Sequence, residues 1–193
     1  TGAKVTSSAA LHRGTLYIGD YAGRVHALAQ RTGRSRWVRS VGGRIYGTPA
    51  VDGRRVFVPS STGGSMTAFT VGGRYLWRVG TGSYVYSSPA VWAGRVYFGS
   101  YDGRLYAVGA GNGRILWTVP AGRVSGAAAV VDGVVYAGST YGGITAADAK
   151  TGRVVLRFPH GEYVPVSGNG GRLLLHGYSR IYAVEPVRRK DKR

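Results

Sequence analysis

Residues 87–117 read "SSPAVWAGRVYFGSYDGRLYAVGAGNGRILW". The stretch holds four short apolar runs, punctuated by Asp-Gly and Asn-Gly. Those dipeptides suit tight hairpin turns, and runs rich in Val, Tyr, Ile and Leu suit strands. The stretch is therefore expected to be a four-stranded antiparallel meander. Its strands are labelled a (the PAV run), b (VYFGS), c (LYAV) and d (ILW).

The same unit recurs on both sides. Trp37, Trp77 and Trp117 are 40 residues apart each time, and Leu156 takes the next slot. "GTPAV" (47–51) and "SSPAV" (87–91) share a slot with "SSAAL" (7–11) and "GAAAV" (126–130). Strand b recurs as "LYIGD" (16–20), "VFVPS" (56–60), "VYAGS" (135–139) and the degenerate "LLLHG" (173–177). Strand c recurs as "VHAL" (25–28), "MTAF" (66–69), "ITAA" (144–147) and "IYAV" (181–184). No 3.6-residue apolar period runs for ten residues, so essentially no helix is expected. Four-stranded units of about 40 residues in tandem are the sequence form of a β-propeller, all-β, with about five blades here.

"YDGRLYAVGAGNGRILW" (101–117) and "SSPAVWAGRVYFGS" (87–100) resemble the pyrroloquinoline-quinone-type (PQQ-like) propeller repeat. "ALAQRTGRSRW" (27–37) and "AADAKTGRVVL" (146–156) resemble that family's tryptophan-docking motif. The Gly-His and Trp-Asp signatures of WD40 repeats are absent. The resemblance implies that Trp37, Trp77 and Trp117 pack between neighbouring blades, their indole N–H groups bonded to neighbouring backbone. It implies a non-catalytic branch similar to the propeller subunit of the outer-membrane barrel-assembly machinery, with a periplasmic, cell-envelope or secreted location. The rival it also implies is a fragment of a quinone-dependent dehydrogenase.

Residues 1–187 are assigned to the repeats, and the basic 188–193 ("RRKDKR") to a solvated, disordered tail. Counting gives five a, five b, five c and four d strands. "TGAKVTSSAAL" (1–11) aligns without a gap on "TGSYVYSSPAV" (81–91), so the first blade starts after a d strand that the sequence does not contain. The chain is expected to be part of a ring that by resemblance has seven or eight blades, completed by its remainder or by a second copy. A five-bladed ring is the alternative.

In such a meander the d–a and b–c loops share one end of the blades, around the central channel. The d–a loops "GGRIYG", "GSYVYS", "GRVSG" and "HGEYVP" bring Arg44, Tyr46, Tyr84, Tyr86, Arg123 and Tyr163 there. Tyr21, Tyr101, Tyr141 and Tyr178 fall in b–c loops. Tyr and Arg are the residue types enriched at interface hot spots. The first six are the candidate contacts for a protein or acidic polymer partner; Tyr is also an ordinary strand-end residue.

Catalytic chemistry finds little support. Calcium, which holds the quinone in dehydrogenases of this fold, needs six to eight oxygen ligands, several of them carboxylates. The eight acids include Asp52, Asp132 and Asp148, placed in turns away from the mouth, and Glu185 and Asp191, in or beside the tail. Only Asp20, Asp102 and Glu162 remain, on different blades. The chain has no cysteine, which excludes disulfides and thiolate sites. His12, His26, His160 and His176 lack metal-site spacing, and no "GxSxG" elbow occurs. No cofactor is expected.

The chain has 193 residues, 44% hydrophobic, enough for a core, and 33 are glycine. Lys and Arg number 26 against 8 acids, a formal net charge of +18. Eleven Gly-Arg pairs scatter the cations over both faces, unlike the single stacked groove of a nucleic-acid module. No apolar stretch reaches the ~20 residues of a membrane span.

Overall fold

The computed structural model describes residues 1–161, 167–169, 172–177 and 179–184. Tyr163, Glu162, Tyr178 and the 188–193 tail lie outside them. No helix occurs among the described residues; they form nineteen strands in five antiparallel sheets.

The first sheet is β1 (Ala10–His12), β2 (Thr15–Gly19), β3 (Arg24–Ala29) and β4 (Ser35–Ser40). The second is β5 (Ala50–Val51), β6 (Arg55–Ser60), β7 (Ser65–Thr70) and β8 (Tyr75–Gly80). The third is β9 (Ala90–Trp92), β10 (Arg95–Gly99), β11 (Arg104–Gly109) and β12 (Ile115–Pro120). The fourth is β13 (Ala129–Val131), β14 (Val134–Gly138), β15 (Ile144–Asp148) and β16 (Val154–Phe158). The fifth is β17 (Ser167–Asn169), β18 (Arg172–His176) and β19 (Ile181–Val184). Every sheet is a meander in sequence order, so each is one blade, and the described residues form an open arc of blades. The short first strands β1, β5, β9 and β13 touch in succession, which sets them along the inner side of the arc.

Cohesion lies between the sheets. Tyr17, Val25, Ile45, Val56, Val58 and Phe69 form the buried cluster joining blades one and two. Phe57, Met66, Val85, Val96, Phe98 and Val108 join two and three. Tyr97, Leu105, Val119, Val124 and Val135 join three and four. Burying such side chains contributes roughly 1.5–3 kcal/mol each.

The three d strands that carry a tryptophan seal their seams in one direction. Trp37 Nε1 donates to Val71 O at 2.9 Å, Trp77 Nε1 to Ala110 O at 3.1 Å, and Trp117 Nε1 to Ala149 O at 3.3 Å. Each acceptor follows strand c of the next blade. Within its own sheet each indole faces an alanine, Ala27, Ala68 or Ala107, and a register shift follows immediately. The small partner and the bulge let the ring lean out of the sheet toward its neighbour. It lands on a glycine turn: Gly113 has φ +71°, and a Cβ there would sit 2.8 Å from the Trp77 ring. Glycine is required at that turn twice, by conformation and by contact.

Candidate functional site

The mouth-side loops follow one rule. In the three d–a loops that the described residues cover in full, the middle residue, Ile45, Val85 or Val124, is fully buried. Its N–H donates to the b–c loop of the preceding blade: Ile45 to Asp20 O (3.1 Å), Val85 to Ser61 O (3.0 Å), Val124 to Ser100 O (3.3 Å). The residue before it accepts from the b–c loop of its own blade: Arg44 O from Ser61 N (2.7 Å), Tyr84 O from Tyr101 N (2.8 Å), Arg123 O from Thr140 N (2.9 Å). Lys4 O accepts from Tyr21 N in the same way, at 2.9 Å. Gly19 and Gly99 clear the space that Ile45 and Val124 fill. With the middle residue pointing in, its two neighbours must point out, as in any extended segment. That places Arg44 and Tyr46, then Tyr84 and Tyr86, on the mouth.

The outward tyrosines touch. Ring centroids of Tyr21 and Tyr46 are 4.8 Å apart, Tyr46 and Tyr86 5.3 Å, and Tyr86 and Tyr101 4.8 Å. All three contacts are edge-to-face, the arrangement that ring quadrupoles prefer. Tyr84 joins from the side, 5.7 Å from Tyr86. Lys4 Nζ lies 5.3 Å and the Arg44 guanidinium carbon 5.5 Å from the Tyr21 ring centre. Arg44 Nη1 reaches Tyr46 Oη at 3.5 Å. That contact lowers the pKa of the Tyr46 phenol, whereas burial first, then the neighbouring phenols, raise that of Tyr86.

Four of the six residues singled out from the sequence, Arg44, Tyr46, Tyr84 and Tyr86, thus form one surface. Arg123 is exposed on the next d–a loop, outside the tyrosine contacts. Tyr163 lies outside the described residues. Sequence reasoning left Lys4 out, although the alignment of "TGAKV" on "TGSYV" gives Lys4 the position of Tyr84. Tyr21 and Tyr101 were recognisable as loop residues, but nothing local showed that they bridge the d–a tyrosines.

The mouth carboxylates are engaged internally. Asp20 is fully buried: Oδ2 accepts from His26 Nε2 (2.8 Å) and Arg24 Nε (3.1 Å), and Oδ1 from Arg24 N (3.0 Å). Asp102 Oδ2 accepts from the Tyr106 hydroxyl (2.5 Å) and Gly82 N (2.9 Å), and Oδ1 from Arg104 N (3.0 Å). Among the described residues no three His, Asp or Glu side chains converge on a point that would hold a metal ion. None of the helix type long and apolar enough to cross a membrane occurs there either.

Fold and face together define a β-propeller of PQQ-like repeats. The sequence model described as "Outer membrane protein assembly factor BamB" matches residues 1–83 and 61–185. The chain belongs to that family. No curated protein sequence matches it. Among solved structures it is similar to BamB from Moraxella catarrhalis, with TM-score 0.81 and 22% identity, over 95% of this chain and 62% of that one. It is also similar to the quinohemoprotein alcohol dehydrogenase of Comamonas testosteroni, with TM-score 0.77 and 15% identity, over 95% of this chain and 41% of that one. It therefore spans less than two thirds of either relative's length. At these identities the two structures establish the fold.

Proposed function

We propose that the chain is a non-catalytic propeller scaffold of the bacterial cell envelope that holds a protein or polymer partner on its loop face. The observation that carries the reading is the contiguous Tyr/Arg surface on the mouth-side loops. Arg44, Tyr46, Tyr84, Tyr86, Arg123 and Tyr163 are its proposed contacts. Family membership supports it, since the family is described as assembly factors of outer membrane proteins. The loops are clamped between two blades, so little ordering entropy opposes binding. Pull-down from envelope extract with the wild-type chain and with Tyr84→Ala/Tyr86→Ala tests it. The double variant should lose the specific partner; an identical partner list removes the loop face from the account.

The same reading has the arc completed by further blades or by a second copy. A second function, as part of a quinone-dependent dehydrogenase, is favoured only by the fold shared with the Comamonas enzyme. The inward-bonded Asp20 and Asp102 count against it.

A further inference from the structure

The row on the mouth is chemically asymmetric in a way that specifies its partner. We propose that Lys4, Tyr21, Arg44, Tyr46, Tyr86 and Tyr101 form a binding site for a short acidic polypeptide segment in extended conformation. This rests on the loop-face reading above and adds the chemistry of the partner.

Charge comes first. The formal charges the row turns outward are the Lys4 ammonium and the Arg44 guanidinium, both against Tyr21. The two described carboxylates of these loops, Asp20 and Asp102, have both oxygens occupied by internal donors. Their oxygens are engaged within the fold, while the row offers an anionic partner two charges. Each cation lies over an aromatic ring, which holds it in place without neutralising it. The whole chain, at +18, adds long-range attraction of the same sign.

Ring geometry argues for polypeptide. Successive tyrosines meet edge to face, so the rings cannot present one continuous series of parallel open faces. Stacked bases want a series of open faces along a basic groove. The apolar side chains and amides of a polypeptide fit a row of mutually tilted phenol rings better. The loops that build the row, "GGRIYG" and "GSYVYS", consist largely of Tyr, Ser, Gly and Arg, the composition of protein-binding paratopes. Length follows from the steps: the centroids span at most about 15 Å, four or five residues of extended chain at about 3.3 Å each.

The probe is a short fluorescein-labelled peptide alternating Glu with Leu, followed by anisotropy at low salt beside its Gln counterpart. The Glu peptide should bind about ten-fold or more tightly than the Gln one. Arg44→Gln should weaken it about five-fold. Tyr46→Ala should weaken both peptides, and Arg31→Gln, on the opposite end of the blade, should leave both unchanged. Equal affinity for the two peptides, or no binding of either at about 1 mM, overturns the proposal. So does tighter binding of heparin or single-stranded DNA that Arg31→Gln weakens as much as Arg44→Gln, which marks bulk charge instead of this row. The two levels separate cleanly. Loss of the cellular partner in Tyr84→Ala/Tyr86→Ala with Glu and Gln peptides binding alike keeps the loop face and removes its acid preference. An unchanged partner list with intact Glu-peptide binding does the reverse.

Discussion

Asp20 carries a carboxylate that the fold buries fully. Burial alone would raise its pKa, but hydrogen bonds from His26 and Arg24 outweigh that and hold it below the usual carboxylate value. A carboxylate depressed in the folded state stabilises above its unfolded pKa of about 3.9, and the contribution disappears as pH falls through the lower folded value. Asp20→Asn weakens the hydrogen bonds that Arg24 and His26 give to a charged acceptor and should cost about 1.5–3 kcal/mol at neutral pH. The gap from wild type should narrow below about pH 4. Urea titrations at neutral and acid pH measure it, and a pH-independent gap would show that the charge contributes nothing. His26 illustrates what a sequence hides. It reads as an ordinary strand residue, because its pairing with Asp20 needs the b–c loop to turn the carboxylate back over strand c.

At the level of the strands, far more was legible. Turn chemistry is local: "VDG" at 51–53 and 131–133 and "GNG" at 111–113 mark hairpins whatever surrounds them, and the strands fall between them. Repetition multiplied each weak local signal by five. The candidate face was legible only by position, since the blade alternation predicts which residues point outward but not which rings meet across loops. Four neighbours follow from the pattern; the contacts that Lys4, Tyr21 and Tyr101 make with them depend on how loops of successive blades approach one another. Among the d strands, Trp77 is the most enclosed indole, only 6% exposed. Trp77→Ala removes the ring from the seam of blades two and three and orphans the Ala110 carbonyl. It should cost about 3–5 kcal/mol in chemical denaturation. A variant as stable as wild type would falsify the inter-blade role.

For the molecule as a whole, the first expectation concerns what completes it. In the described residues β19 pairs only with β18, and an open strand edge invites pairing with another strand. Light scattering of the 193-residue chain over a range of concentrations should show association; a strictly monomeric species throughout would mean the edges are capped within the chain. The second expectation concerns charge inventory. Eight acids among 193 residues, with Asp52 and Asp148 tied into turns by bonds to Arg54, Arg55, Lys150 and Thr151, leave few oxygens for a hard cation. Calorimetric titration with pyrroloquinoline quinone plus calcium should show no saturable binding; micromolar affinity would restore the dehydrogenase reading.

The three indole contacts all run one way, from blades one, two and three to a carbonyl of the blade that follows. Mechanically the arc is thus a row of latches, each mounted on one panel and catching the panel after it. Release of one latch is felt first by the panel that was caught. Damage at Trp77 should loosen β11 and its turn at Gly113 before it disturbs the strand that carries the residue. Because stability in stacked repeats passes between nearest neighbours, the break would divide the arc at that seam and leave the blades on either side holding their own partners.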